Sequence, residues 1–461
     1  MGVIRSLFAP HALLPDGWAR DVLLHWDARG HFTAITPQSS PPPGVTRAAG
    51  PVLPGMPNLH SHAFQFGMAG QTEYQDQADD SFWTWRTLMY RLANALTPES
   101  LEAIATALYV EMLEAGYTSV CEFHYIHHDP SGRAYADSAA MSLALLRAAE
   151  RAGIGLTLLP VFYQTGGFGA LPPADGQRRF LLKADDMLSL LAHLQPLCQA
   201  QGVRLGFAPH SLRAVSPDSL REVLTGFEAL DPTAPIHIHV AEQTAEVDAC
   251  LAWSGQRPVQ WLLNNAPIDE RWCLVHATHM DADEYRRAAA SGAVAGLCPT
   301  TEANLGDGVF DATRWCAAGG QWGIGSDSHT CVNAAEELML LEYGQRLATG
   351  RRNVLASSEH RYVATAMMLQ AVAGGAQASG RPIAGLAVGQ QADWVALDAA
   401  HPSLAALPCP NAMLAAHVFA SHRQSAIHQV CVAGTLRVSA GRHALGPEAR
   451  AAFTFARAQL G

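Results

Sequence analysis

Hydrophobic and polar positions along the chain fall into two textures. Residues 1–50 carry short alternating runs such as "DVLLHWDARGHFTAI", broken by Pro and Gly. That period of two predicts a few half-buried antiparallel strands with tight turns. The same texture returns after residue 383, in "IAGLAVGQQADWVALD" and "SAIHQVCVAGTLRVSAGRHAL". Between them the apolar runs are continuous rather than alternating: "VLPGMPNLHSH", "TSVCEFHYI", "GIGLTLLPVFYQ", "VRLGFAPHSL", "PIHIHVAE", "WCLVHATHM", "AVAGLCPTTEAN" and "QWGIGSDSH". Runs of that kind belong to strands buried on both faces. Helical patterns separate most of them; in "TPESLEAIATALYVEMLEAG", Thr97 is the expected N-cap, Pro98 the first helical residue and Gly116 the C-cap.

Eight such strands alternating with helices predict an α/β fold, a (β/α)8 TIM-like barrel over residues 51–383. Each end is too short to hold a core alone. The economical arrangement pairs residues 1–50 with residues 384–461 in one small β-sandwich domain.

Composition narrows the function classes. The chain has 461 residues, 49% of them hydrophobic and 15% charged, with a formal net charge of −11. An acidic balance argues against nucleic acid or an anionic membrane as the main partner. No apolar run reaches the roughly 18 residues that span a bilayer, and the N-terminus lacks the long apolar stretch of a secretory signal. The nine cysteines are scattered singly with no C-x-x-C pair. A reducing cytoplasm is therefore the expected setting, without a disulfide framework or a cysteine-zinc site.

In a (β/α)8 barrel the chemistry sits at the C-terminal ends of the strands. Most of those ends carry polar residues here: His60 and His62, Tyr125, His210, His239 and Glu242, His276, Asp327. A lone histidine at a strand end is usually a hydrogen-bonded structural residue; so many at one end of one barrel point to a site. His60 and His62, at i and i+2, face the same way and can offer two nitrogens to one metal. In "IHIHVAE", His239 lies nearer the strand end than His237, so His239 is the expected third ligand and His237 a packed one. Glu242 is the expected acid/base group. His276 closes its strand while His279 falls in the loop, which favours His276 as catalytic. Asp327 follows "GIGS", where glycines permit close backbone approach, and can bind a metal or hold a proton; its bland reading is a helix N-cap. The chain holds one lysine, Lys183, well before the fourth strand. Paired-metal barrels commonly bridge their ions through a carboxylated lysine, so a single ion is expected.

These residues make the chain resemble the amidohydrolase superfamily, and within it the formimidoylglutamate deiminase family. The general resemblance rests on "PGMPNLHSH", "HVAE", "GSDSH" and "GLAVGQQADWVALD". The closer one rests on "HSHAFQFGMAG", "DSFWTWRTLMYRL", "CEFHYIHHDPSG", "APHSLRAV" and "CPTTEANLGDGVFD". It runs over nearly the whole chain and departs at Phe66, where a basic residue is usual. The resemblance implies one divalent metal ion, Zn2+ before iron or manganese, on His60, His62, His239 and Asp327. It implies catalytic roles for Glu242, His276 and Asp327, and a substrate pocket of Gln65, Arg86, Tyr125, His210 and Arg213. The implied reaction is hydrolysis of N-formimino-L-glutamate, a small molecule with two carboxylates, to N-formyl-L-glutamate and ammonia in histidine degradation. Arginines suit such a diacid because a guanidinium fork matches a carboxylate. Arg213 follows strand four, whereas Arg86 reads equally well as a surface residue. A related deaminase acting on a guanine-like amidine is the alternative, a homodimer is expected, and the 71–97 segment is a candidate cover for the barrel mouth.

Overall fold

Parallel strands form a closed ring in the computed structural model, which describes residues 5–73, 82–420 and 424–460. Strand one is Met56–Ser61, strand two Tyr117–His124 and strand three Gly155–Phe162. Strand four is broken into Arg204–Leu205 and Ala208–Pro209, and strands five to eight are Ile236–Val240, Trp272–His276, Val294–Leu297 and Gln321–Ile324. Successive strands pair in parallel from one to four and from five to eight. Isolated bridges complete the ring: Phe207 and Ser211 meet Ile236 and His239, and Ser61 meets Asp327. The (β/α)8 expectation holds. Tyr117–His124 and Gly155–Phe162 are buried at every position, which is why their sequences show no alternation.

Capping chemistry sets the helix ends. Thr97 Oγ1 accepts from Ser100 N at 3.2 Å, and Pro98 begins the helix Pro98–Glu114. Ala115 is the cap residue at its far end, with Gly116 one position beyond at φ +93°. The helix Val363–Ser379 covers strands one and eight. A Cβ on its Gly374 would lie 2.0 Å from the Trp322 carbonyl oxygen, so only glycine allows that approach.

The two ends of the chain meet in one nine-stranded sheet. Arg5–Leu14 and Gly17–Trp26 form a hairpin, and Trp394–Leu397 leads into Ile427–Val432 and Thr435–Ser439. This sheet has its own apolar cluster, including Leu7, Leu24, Trp26, Phe32 and Trp394. It extends past the expected boundary at residue 50: Val52–Pro54 joins it, pairing with Ala12 on one side and Val395 on the other. The apolar run "VLPGMPNLHSH" is thus two strands, divided at Gly55. The C-terminal segment also carries two helices, Pro410–Ala420 and Gly446–Leu460, beyond the expected strands. The last is tied to the barrel side, where Arg457 Nη2 donates to Ala69 O at 2.6 Å. Part of the 71–97 segment, residues 74–81, lies outside the described residues; Phe82–Ala95 is helical. Among the described residues no helix is long and apolar enough to cross a membrane.

The seam between strands eight and one is closed by backbone contacts of the site residues themselves. Asp327 N donates to His60 O at 3.0 Å, and His62 N donates to Asp327 O at 3.2 Å. A Cβ on Gly325 would stand 2.8 Å from both the Cβ and the backbone N of His60. Gly325→Ala is expected to lower stability by about 1–3 kcal/mol through overpacking, and to weaken metal retention because His60 must move. Denaturant unfolding and metal analysis check this; an alanine variant with wild-type values for both would contradict it.

Candidate active site

The first, fifth and eighth strands deliver their end residues to one point. His60 Nε2 lies 3.2 Å from His62 Nε2 and 2.9 Å from His239 Nε2. Asp327 Oδ1 stands 3.4 Å from both His60 Nε2 and His62 Nε2. All four residues are buried, His60 completely.

Hydrogen bonding fixes what these nitrogens can be. His62 Nδ1 faces the Phe123 carbonyl at 2.9 Å, and His239 Nδ1 faces the His210 carbonyl at 3.1 Å. A carbonyl only accepts, so both rings carry their proton on Nδ1 and a bare lone pair on Nε2. Burial, then the neighbouring histidines, holds His60 and His239 well below the ordinary histidine range. Burial and His60 likewise bring His62 down to about 3. The Nε2 lone pairs of His62 and His239 converge on His60 Nε2, where a cation, or a proton carried by His60, would relieve their repulsion. The edge of a tetrahedron with ligand bonds of about 2.0–2.1 Å is about 3.3 Å, close to the separations found. His60, His62 and Asp327 Oδ1 therefore have the mutual spacing of ligands to one divalent ion, His239 adds a third nitrogen beside His60, and Asp327 Oδ2 is left over. No lysine contributes: Lys183 is exposed at the start of the helix Ala184–Ala200.

Asp327 is not a helix cap. That role belongs to Asn333, whose side chain accepts from Ala335 N and Glu336 N. Asp327 and His276 both adopt left-handed backbone, at φ 45° and 65°, unusual for residues with a Cβ. His276 Nε2 lies 3.6 Å from Asp327 Oδ2 and 3.8 Å from Glu242 Oε1, and its Nδ1 lies 3.3 Å from Glu302 Oε1. Burial would lower His276, but Glu242, the Glu302 hydrogen bond and Asp327 outweigh it and push it up to about 10. Burial raises Glu242 to about 7 against the attraction of His276 and Arg213. Glu242 can thus exchange a proton near neutrality. His237 is structural as expected: it is fully buried, its Nε2 donates to Ala378 O at 2.7 Å, and burial lowers it to about 4.

A pocket opens above this cluster. His62, His239, Glu242, His276 and Asp327 line its floor, and Gln65, Arg86, Tyr125, His210 and Arg213 its walls. Gln65 Nε2 donates to Tyr125 OH at 3.1 Å. His210 is kept neutral, by burial first and then by Arg213. Arg213 resists the lowering effect of burial because Glu246 and Glu242 face it, and among the described residues its Nε has no hydrogen-bond partner. Arg86 stacks over Tyr90, with its guanidinium carbon 5.4 Å from the ring centroid. All the residues expected at the site from sequence come together here.

Others were missed. Tyr163 lines the cavity one residue past strand three, as Tyr125 does past strand two, so its position was a readable signal. Trp85, Tyr90, Phe180 and Leu305 add apolar wall. Glu122 lies below the floor: its carboxylate accepts from Ser61 Oγ at 2.7 Å, Ala63 N at 2.6 Å and Tyr109 OH at 3.1 Å. It thereby pins the turn that follows the paired histidines.

The chain matches the amidohydrolase family model over residues 52–437. It also matches the model for the N-terminal domain of formimidoylglutamate deiminase over residues 4–49. It is 52% identical to a formimidoylglutamate deiminase of Pseudomonas aeruginosa, over 95% of this chain and 96% of that one. An 8-oxoguanine deaminase of the same organism is 28% identical over 74% of this chain and 73% of its own. The crystal structure of an amidohydrolase from Brucella melitensis superposes with a TM-score of 0.94 at 47% identity, covering 99% of each chain.

Burial raises Glu122 from 4.5 to about 7, with its three donors opposing. A carboxyl raised on folding favours the folded state below its unfolded value, and that benefit is lost as pH rises through 7. Glu122→Gln mimics the protonated form. Its stability relative to wild type is therefore expected to grow between pH 5 and pH 9 by up to roughly 3 kcal/mol. Denaturant unfolding of the metal-saturated proteins at each pH measures this; parallel pH profiles would contradict it.

Proposed function

The chain belongs to the amidohydrolase family, within it to the formimidoylglutamate deiminases, and from that premise we propose that it hydrolyses N-formimino-L-glutamate to N-formyl-L-glutamate and ammonia. The observation that carries this reading is a single cavity with a metal-competent cluster on its floor and two arginines, Arg86 and Arg213, in its walls.

Family members bind a metal, and zinc on His60, His62, His239 and Asp327 is our assignment. Such an ion would supply a water whose pKa falls to about 7. The protein's own groups do the rest. Arg213 and Arg86 take the two carboxylates, and the first is already held charged by Glu246 and Glu242. Neutral His210, Tyr125 and Gln65 offer directed hydrogen bonds that orient the formimino group. Asp327 Oδ2, turned away from the histidine pair and toward His276 Nε2, receives the water's proton. His276 steadies that carboxylate as charge redistributes. Glu242, raised to about 7, delivers a proton to the imino nitrogen as the water oxygen bonds to the formimino carbon. The proton held by Asp327 then reaches the same nitrogen, the C–N bond breaks and ammonia leaves, and the hydroxyl proton returns to Glu242 as the formyl group forms. The nine unpaired cysteines support a reducing, cytoplasmic setting, and a homodimer is part of the same proposal. A guanine-like substrate is disfavoured by two carboxylate-binding arginines and by the low identity to 8-oxoguanine deaminase.

Ammonia release from N-formimino-L-glutamate is expected, abolished by a chelator and restored by zinc; release from guanine but not from this substrate would overturn the proposal. Glu242→Gln and His276→Asn should each lower kcat by about 100-fold or more while bound metal is unchanged. Arg213→Ala should instead weaken substrate binding by roughly 2–5 kcal/mol, the cost of breaking a buried ion pair. Full affinity in that variant would remove Arg213 from the pocket.

A further inference from the structure

We propose that Glu302 is a positioning residue for this reaction, holding His276 with its proton on Nδ1 so that Nε2 is presented to Asp327 and Glu242. The inference rests on the reaction proposed above, but the contact itself does not.

Glu302 follows strand seven, in the short helix Pro299–Leu305, and is 5% exposed. One oxygen, Oε1, has two duties. It accepts from Cys298 N at 2.9 Å, fixing the turn out of the strand, and it stands 3.3 Å from His276 Nδ1. Since a carboxylate only accepts, the proton on that edge of the ring belongs to Nδ1. His276 is 1% exposed, so water does not choose its tautomer. Its other edge faces two further carboxylate oxygens, Asp327 Oδ2 at 3.6 Å and Glu242 Oε1 at 3.8 Å. Each ring nitrogen thus faces a carboxylate acceptor. Glu302 sets which edge faces the reacting groups, because its oxygen is the nearest of the three and is anchored to backbone. Its negative charge balances that of the ring whenever both nitrogens carry protons. The bland reading is that Glu302 serves only the Cys298 turn.

The test uses the full-length, metal-loaded protein. Nitrogen-15 histidine correlation spectra report the tautomer, with His276 assigned through the His276→Asn spectrum. Wild type is expected to show a protonated Nδ1 at His276. Glu302→Ala should lose that signature and lower kcat roughly 100-fold, with KM for N-formimino-L-glutamate within about threefold and metal content unchanged. In Glu302→Gln the amide oxygen can still accept from Cys298 N and His276 Nδ1. That variant should keep the signature and recover at least about tenfold of the lost kcat. The proposal is overturned by a wild-type His276 protonated on Nε2 alone, by full kcat in Glu302→Ala, or by Glu302→Gln as damaged as Glu302→Ala. Should the alanine variant not fold, the wild-type and glutamine spectra decide. A wild type that releases no ammonia from N-formimino-L-glutamate would defeat the reaction assignment, while the spectra would still judge the Glu302 contact.

Discussion

Imidazole lone pairs converging on one point organise this site. His62 and His239 spend their Nδ1 protons on the carbonyls of Phe123 and His210, which aims their bare Nε2 atoms at His60. Burial keeps the imidazoles neutral, so they cannot relieve the crowding by taking up protons. A cation would satisfy all of these lone pairs at once. The fourth donor, Asp327, arrives through the same backbone contacts that close the barrel between its last strand and its first. Barrel closure and ligand assembly are therefore one event, and anything that spreads that seam spreads the donors too.

Three buried carboxylates repeat one task around the mouth. Glu122 accepts from Ala63 N after strand one, Glu246 from Ala241 N and Glu242 N after strand five, and Glu302 from Cys298 N after strand seven. Each pins the turn at which a strand leaves the ring, where backbone N–H groups lose their ladder partners and would otherwise be buried unpaired. Each also reaches a functional element: the paired histidines, the segment bearing Glu242, or His276 itself. Rigid turns matter because His276 and Asp327 sit in left-handed backbone, and such conformations persist only where surroundings hold them.

Much of this was legible in the sequence, for identifiable reasons. Paired histidines at i and i+2 share a strand face whatever the tertiary context, and the glycines of "GIGS" before Asp327 signalled a close backbone approach without naming His60 as its partner. The Thr97–Pro98 start was read because capping is local. The three pinning carboxylates were not read, because a lone Glu in a strand or in the first turn of a helix has the same local signature whether it meets solvent or a distant N–H. The pairing of Val52–Pro54 with the terminal sheet was not read because "VLPGMP" is apolar throughout, whichever sheet it joins. Its division at Gly55 depends on Asp393, whose carbonyl accepts from Gly55 N across the terminal sheet.

The central claim, one cation bound by donors from strands one, five and eight, is tested most directly by anomalous diffraction from crystals of the purified protein at the zinc absorption edge. The account predicts a single strong peak enclosed by Nε2 of His60, His62 and His239 and by Asp327 Oδ1. No peak at that point, or a second ion beside it, would contradict the account.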